Sequence, residues 1–206
     1  MYNLPFFHNE RDVEIPLLLQ WLDRNDARYA SVLDVGCSQS AYLPEVRKLV
    51  GCLHGIDLLE DEKVRSYLDE FMVENFLYAD LPYYDLVYSI STIEHVGVEY
   101  LPSKLYRNLQ LDFFSKLLET AKYGVFLTFP YGEDDLFSGF YYNGNRKLLD
   151  DYLKIAKGFK VGLKFISTPD PKNPEGWREI PQELADKATN ELSGGVNTIC
   201  VLEVYK

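Results

Sequence analysis

Between Ser31 and Asp57 the chain runs through a strand, a glycine turn, a helix and a second strand, and this succession limits the fold more than any other feature. Ser31-Val-Leu-Asp-Val-Gly36 is a short apolar run closed by a glycine. Cys37-Ser-Gln-Ser40 follows, and then residues 42–50 read as a helix with Leu43, Val46, Leu49 and Val50 on one face. Cys52-Leu-His-Gly-Ile-Asp57 is the second apolar run. Two strands joined by one helical crossover pair in parallel, with a right-handed connection.

The alternation continues along the chain. Residues 11–29 read as an amphipathic helix around Pro16, which is tolerable near a helix start. Residues 60–72 read as helical, with Val64, Leu68, Phe71 and Met72 at core spacing. Residues 85–91 form a strand and residues 104–122 a long helix. Residues 124–129 are a strand stopped by Pro130 and Gly132. A helix over 148–156 and strands over 160–166 and 198–205 complete the pattern. The expected fold is α/β: a doubly wound, mostly parallel seven-strand sheet with a reversed last strand and helices on both faces. A chain of 206 residues fits one such domain, with an N-terminal helical segment (1–30) and a proline-rich insertion before the last strand (168–197).

Charge and cysteine usage narrow the partners. The chain has 21 Lys+Arg against 32 Asp+Glu, a net charge of −11, so it lacks the basic surplus that nucleic acid or anionic lipid requires. No apolar run nears the ~20 residues that span a bilayer, and the first twelve residues lack an apolar signal core. Cys37, Cys52 and Cys200 are odd in number and far apart, and with only three His they offer no zinc set. The expectation is a reduced, cytoplasmic protein with no metal and no membrane partner, acting on a small molecule. Oligomeric state is not legible.

In doubly wound sheets, ligands bind outside the carboxyl ends of the strands, where strand order reverses. Gly36 lets the backbone turn tightly and approach a ligand, and the helix after it offers free N–H groups. Asp57 ends the second strand, where an acid can accept two ribose hydroxyls. A nicotinamide site would need Gly-x-Gly-x-x-Gly, but after Gly36 come Cys, Ser, Gln, Ser and Ala. A cofactor without a pyrophosphate needs no such glycines.

Val-Leu-Asp-Val-Gly-Cys37 followed by Gly-Ile-Asp57 resembles the first two motifs of the class I S-adenosylmethionine-dependent methyltransferases. Tyr84-Asp-Leu-Val-Tyr-Ser89 with Ile93-Glu-His-Val96 resembles their fourth strand and its turn, and Gly124 to Pro130 their fifth strand. The resemblance covers residues 30–130 and implies a Rossmann-like fold, S-adenosylmethionine as cofactor and S-adenosylhomocysteine as product. It implies that Asp34, Gly36, Cys37 and Ser38 hold the methionine end, and Asp57 with Leu58 the ribose. It further implies that Asp80 and Leu81 lie by the adenine, and that Ser89 and Ser91 line the floor under the methyl group. One departure stands out: the family usually has glycine at the positions of Ser38 and Ser40. Positive φ at either serine would cost about 1 kcal/mol or more. A non-catalytic binding or scaffold domain with a weakened cofactor site is therefore the alternative to methyl transfer onto an O or N.

On the acceptor side, His95 has the right ordinary pKa for a general base. Ser91-Thr-Ile-Glu94 matches a capping box, which leaves Glu94 between capping and pocket duty. Cys37 reads as a packed side chain, and Asp34 as an acid that organises the loop by accepting backbone N–H bonds. Tyr131, Tyr142, Asn143 and Arg146, together with Phe140, Tyr141 and Asn145, suit a planar, sugar-like or carboxylated acceptor; a surface loop covering the sheet edge is the competing reading.

Overall fold

The strand that ends at Gly36 lies inside the sheet with a parallel neighbour on each side. In the computed structural model, which describes residues 9–97, 105–133, 143–170, 172–190 and 196–206, β1 (Ser31–Val35) pairs with β2 (Cys52–Asp57) and with β4 (Tyr84–Ile90). The registers Val35↔Ile56 and Asp34↔Tyr88 bring the ends of all three strands to one edge. Strand order therefore reverses at β1, because β2 lies to one side and β4 to the other.

Among the described residues the sheet has eight strands in the order β3-β2-β1-β4-β5-β8-β6-β7, which corrects the expected seven. β5 is Ala121–Pro130, β6 Lys160–Ser167 and β8 Thr198–Tyr205. β8 runs antiparallel to both β5 and β6, so the reversed last strand is as expected. One strand beyond the expectation is β7 (Arg178–Ile180), which adds to β6 from within the insertion. Another correction is β3 (Glu70–Val73), which falls where the spacing predicted helix. The helix there is a single turn over Glu62–Arg65 started by Asp61, whose Oδ1 accepts from Lys63 N at 3.0 Å and Val64 N at 3.1 Å. Phe71 then pairs beside Gly55 in the sheet instead of continuing that turn.

Helices cover both faces. α1 (Arg11–Arg24) and α2 (Leu43–Leu49) bury Ile15, Leu18, Trp21, Leu22, Leu43 and Val46 against Val32, Leu53, Leu86, Tyr88 and Phe126. The Trp21 and Phe126 rings lie 5.5 Å apart. Pro16 falls in the second turn of α1, where it forfeits one ladder bond. On the other face, α4 (Leu105–Thr120) and α5 (Arg146–Ile155) bury Phe113, Phe114, Leu117, Leu149 and Tyr152 against Leu33, Val35, Val87, Val125 and Leu127. Odd and even strand residues thus face opposite layers, as the pleat requires. The one-turn helix Glu62–Arg65 is α3, and Gln182–Ala185 is α6.

Candidate functional site

The turn after β1 is built around Gly36, whose φ is +87° and whose N–H donates to Ile56 O at 2.9 Å. A Cβ added at Gly36 would lie 2.2 Å from Thr92 Oγ1, so the turn also needs glycine to pass the loop after β4. In the segment that follows, positive φ falls on Gln39 (+62°) and on neither Ser38 nor Ser40. The two serines therefore carry none of the backbone cost expected of them.

Asp57 holds this turn in place. Its Oδ2 accepts from Ser38 N at 2.9 Å and its Oδ1 from Leu59 N at 2.9 Å. Ser38 Oγ donates to Leu59 O at 2.5 Å, and Gln39 N donates to Asp61 Oδ2 at 3.0 Å. The loops after β1 and β2 are latched to each other through these bonds. Asp57 stays half-buried, and Leu58 and Leu59 beside it are exposed. Backbone N–H groups from Val64, Gln39 and Lys63 hold the Asp61 carboxyl below the usual carboxylate range.

Asp34 lies beneath the loop and does not bond to it. Tyr88 Oη donates to its Oδ2 at 2.8 Å and Tyr42 Oη at 3.4 Å, while Oδ1 is buried without a partner. Two tyrosine hydroxyls thus replace the backbone N–H groups expected of it. Burial pushes the Asp34 carboxyl up to about 7, against the pull of the Tyr88 hydrogen bond and with a further push from Asp57. Cys37 is fully buried against Gly55, and burial pushes its thiol far up, which fits a packed side chain and not a nucleophile.

The end of β4 forms the floor between the two halves of the sheet. Ser89 Oγ donates to Val35 O at 2.9 Å. Ser91 has φ +42° and is held there by Thr128, whose O and Oγ1 accept its N–H at 3.1 and 3.2 Å. Because that N–H is spent on β5, the capping box does not form. Ser91 Oγ instead donates to Glu14 Oε1 at 2.7 Å, and Glu14 is fully buried and ion-paired with Arg11. Glu94 is buried with Oε2 unpartnered, whereas His95, the next residue, is exposed. Burial pushes the Glu94 carboxyl well above the usual range; Arg11 pulls it down, and Glu14 and Glu10 push it further up.

Three sequence expectations meet a different geometry. Asp80 and Leu81 lie just before β4 begins, at the opposite edge of the sheet from Gly36, where Lys116 Nζ of α4 donates to Ala79 O at 2.6 Å. The residues that leave the carboxyl end of β3 are Glu74 and Asn75, hidden from sequence reasoning because β3 was not recognised. Asn143 is buried and accepts from Asn190 Nδ2 at 2.8 Å, and Asn190 Oδ1 accepts from Asn197 N and Thr198 N at 2.8 and 3.0 Å. Tyr131 Oη donates to Asp186 Oδ1 at 2.5 Å, and Arg146 reaches Asp186 Oδ2 at 3.2 Å and Asp150 Oδ1 at 3.0 Å. These side chains fasten β5, α5 and the insertion together. Tyr142, Phe140 and Tyr141 lie outside the described residues.

Sequence reasoning also missed Glu14, although its position four residues before Leu18 marks it as part of the buried stripe of α1. Among the described residues no group of three His, Cys, Asp or Glu could hold a metal, and no helix is long and apolar enough to cross a membrane.

Neither the family models nor the curated protein sequences match this chain. Solved structures do. The magnesium protoporphyrin IX methyltransferase (ChlM) of Synechocystis PCC 6803, with bound S-adenosylhomocysteine, is 15% identical with a TM-score of 0.61 over 95% of this chain and 83% of that one. The 1,6-didemethyltoxoflavin-N1-methyltransferase of Burkholderia thailandensis, bound to 1,6-didemethyltoxoflavin and S-adenosylhomocysteine, is 12% identical with a TM-score of 0.61 over 95% of this chain and 79% of that one. The methyltransferase domain of the bacterial CtHen1-CN is 20% identical with a TM-score of 0.59 over 95% of this chain and 98% of that one. At these identities the likeness is one of fold.

Proposed function

We propose that this chain, whose architecture is that of the class I S-adenosylmethionine-dependent methyltransferases, binds S-adenosylmethionine at the carboxyl edge of β1 and β2 and supports methyl transfer to an O or N of a small-molecule acceptor. The observation that carries this reading is the juxtaposition of the Gly36 turn with Asp57 across the Val35↔Ile56 pairing, at the point where strand order reverses. We read the chain as one domain working in the cytoplasm; its three cysteines are unpaired.

The bound cofactor supplies an electrophilic methyl group on a sulfonium. Asp57 accepts the ribose hydroxyls: each carboxylate oxygen already takes one backbone N–H and has a lone pair left. Leu58 and Leu59 offer the adenine an apolar rim. Gly36 and Ser38 present backbone to the methionine end, while Asp34 and Cys37 act from below by fixing the turn. Ser89 and Ser91, both committed to protein partners, set the floor that holds the acceptor in line. His95, exposed just past β4, takes the acceptor's proton where one must leave.

Calorimetric titration with S-adenosylmethionine and S-adenosylhomocysteine tests this, on wild type and Asp57→Ala. Saturable binding that Asp57→Ala weakens supports the reading, and no binding by folded wild type at high micromolar ligand overturns it. The latch between Ser38, Gln39 and residues 57–61 favours one second reading, a binding domain whose cofactor cleft stays closed. Label transfer from the methyl group to any acceptor would remove that alternative.

A further inference from the structure

Next to the cofactor edge is a second group of buried polar atoms that the packing leaves unused. Glu94 Oε2, Gln110 Oε1 and Tyr152 Oη have no hydrogen-bond partner, and their residues are 4%, 1% and 0% exposed. They come from three elements: Glu94 from the turn after β4, Gln110 from α4 and Tyr152 from α5. Gln110 Nε2 donates to Ile93 O at 3.1 Å, one residue before Glu94, and the Glu94 charge acts on the Tyr152 hydroxyl. A polar atom buried dry is costly, so three together mark a place that a ligand completes.

The surrounding charge narrows that ligand. Arg11 and Glu14 of α1 and Glu10 just before it act on Glu94, and Arg107 of α4 acts with Glu94 on Tyr152. Arg11 is paired with Glu14. With Glu94 itself and Arg107 counted, the balance is three carboxyls to two guanidiniums. An anionic group is repelled here, and a neutral hydroxyl leaves the acid surplus uncompensated. The open oxygens of Glu94 and Gln110 call for N–H donors. Phe114 and Phe129 pack on the Tyr152 ring with centroids 4.7 and 5.7 Å away, so the side chains around these polar atoms suit an apolar or aromatic body.

We propose that Glu94, Gln110 and Tyr152 form the acceptor subsite and that it takes a protonated amine carried on an aromatic or apolar body, an assignment that rests on the methyl-transfer reading for its role as acceptor site. A protonated nitrogen has no lone pair, so it is the handle and another atom of the acceptor takes the methyl group. Because burial favours the protonated form of Glu94, capture of an ammonium ion releases a proton, and affinity rises with pH.

The test uses three probes that differ in one group: tyramine, 4-hydroxyphenethyl alcohol and 4-hydroxyphenylacetate. Each is titrated by calorimetry into wild type and Glu94→Gln, with and without S-adenosylhomocysteine. Tyramine should bind wild type at least about tenfold tighter than the alcohol, with the carboxylate weakest. Its affinity should climb as pH is raised, and Glu94→Gln should abolish both the preference and the climb. Equal or tighter binding of the alcohol or carboxylate, a preference that survives Glu94→Gln, or no binding of any probe at millimolar concentration overturns the proposal. So does loss of S-adenosylhomocysteine affinity in Glu94→Gln, which would assign Glu94 to the cofactor. If S-adenosylhomocysteine fails to bind wild type while the tyramine preference holds, the methyl-transfer reading fails and the ammonium site stands. Should Glu94→Gln not fold, Tyr152→Phe serves: it should weaken tyramine severalfold while the melting temperature of the free protein holds or rises.

Discussion

The two halves of the carboxyl edge handle their polar groups in opposite ways. At the ends of β5, β6 and β8, most polar side chains bond one another: Asn190 bonds Tyr131 O, Asn143, Asn197 and Thr198, and Tyr131 and the exposed Arg146 both close on Asp186, with the Asn197 amide oxygen left over. At the ends of β1 and β4, acids are buried with oxygens left over, Oδ1 of Asp34 and Oε2 of Glu94. A network of neutral amides with one oxygen to spare fixes a scaffold, whereas a buried acid left open is tolerated only where the rest of the fold carries its cost. The first half is therefore where chemistry is to be sought, even though the sequence made the loop after β5 look equally promising.

The largest effect that would sharpen this contrast is Asn190→Ala. It strands the N–H groups of Asn197 and Thr198 and should lower unfolding free energy by about 3–5 kcal/mol in denaturant titrations, while S-adenosylhomocysteine affinity of the folded fraction stays unchanged. A loss below about 1 kcal/mol would break the idea that this half is held by its own polar network.

Asp34→Asn should do the reverse. Its folded carboxyl sits at about 7 against an ordinary 3.8, so its stabilising contribution is full below about pH 4 and is lost as pH rises through 7. The amide keeps an acceptor for Tyr88 and carries no charge. At pH 8 the variant should gain about 2 kcal/mol over wild type, and at pH 5 the gain should shrink, read from melting curves at the two values. The same sign holds for Glu94 and Glu10, both raised, whereas Asp61 and Asp85, both lowered, add stability that is lost only as pH falls through their folded values.

Asp57→Asn comes next: the Ser38 and Leu59 bonds to it weaken, and S-adenosylhomocysteine affinity should drop by about tenfold with a stability loss near 1 kcal/mol. Smallest is Arg146→Ala. The side chain is exposed, so solvent screens its pairs with Asp150 and Asp186; the melting temperature should hardly change, and transfer rates should not move. A large rate loss there would return the acceptor contacts to the second half.

Much of this layout was readable beforehand, for reasons that lie in particular residues. β1, β2 and β5 are apolar runs closed by Gly36, Asp57 and Pro130, and buried parallel strands leave that mark; the antiparallel β8 is legible because it is buried on both faces and so equally apolar. β3 escaped because Glu70-Phe-Met-Val73 follows a helical turn with no Gly or Pro between them, so its apolar residues kept helical spacing. β7 escaped because Arg178 and Glu179 are exposed on an edge and show no alternation. Glu14 reads along the chain as a first-turn acid that complements a helix dipole, yet it is fully buried.

By itself, then, the sequence determined a parallel half-sheet with a glycine turn and an acid brought to one edge, because those depend on short-range periodicity and on one crossover. Tertiary structure alone decided which polar groups find partners. Ser91 meets Glu14 across 77 residues and Asn190 meets Tyr131 across 59. Hydrogen-bond satisfaction is set by neighbours in space, and no local pattern records whether a buried acid will be answered or left open.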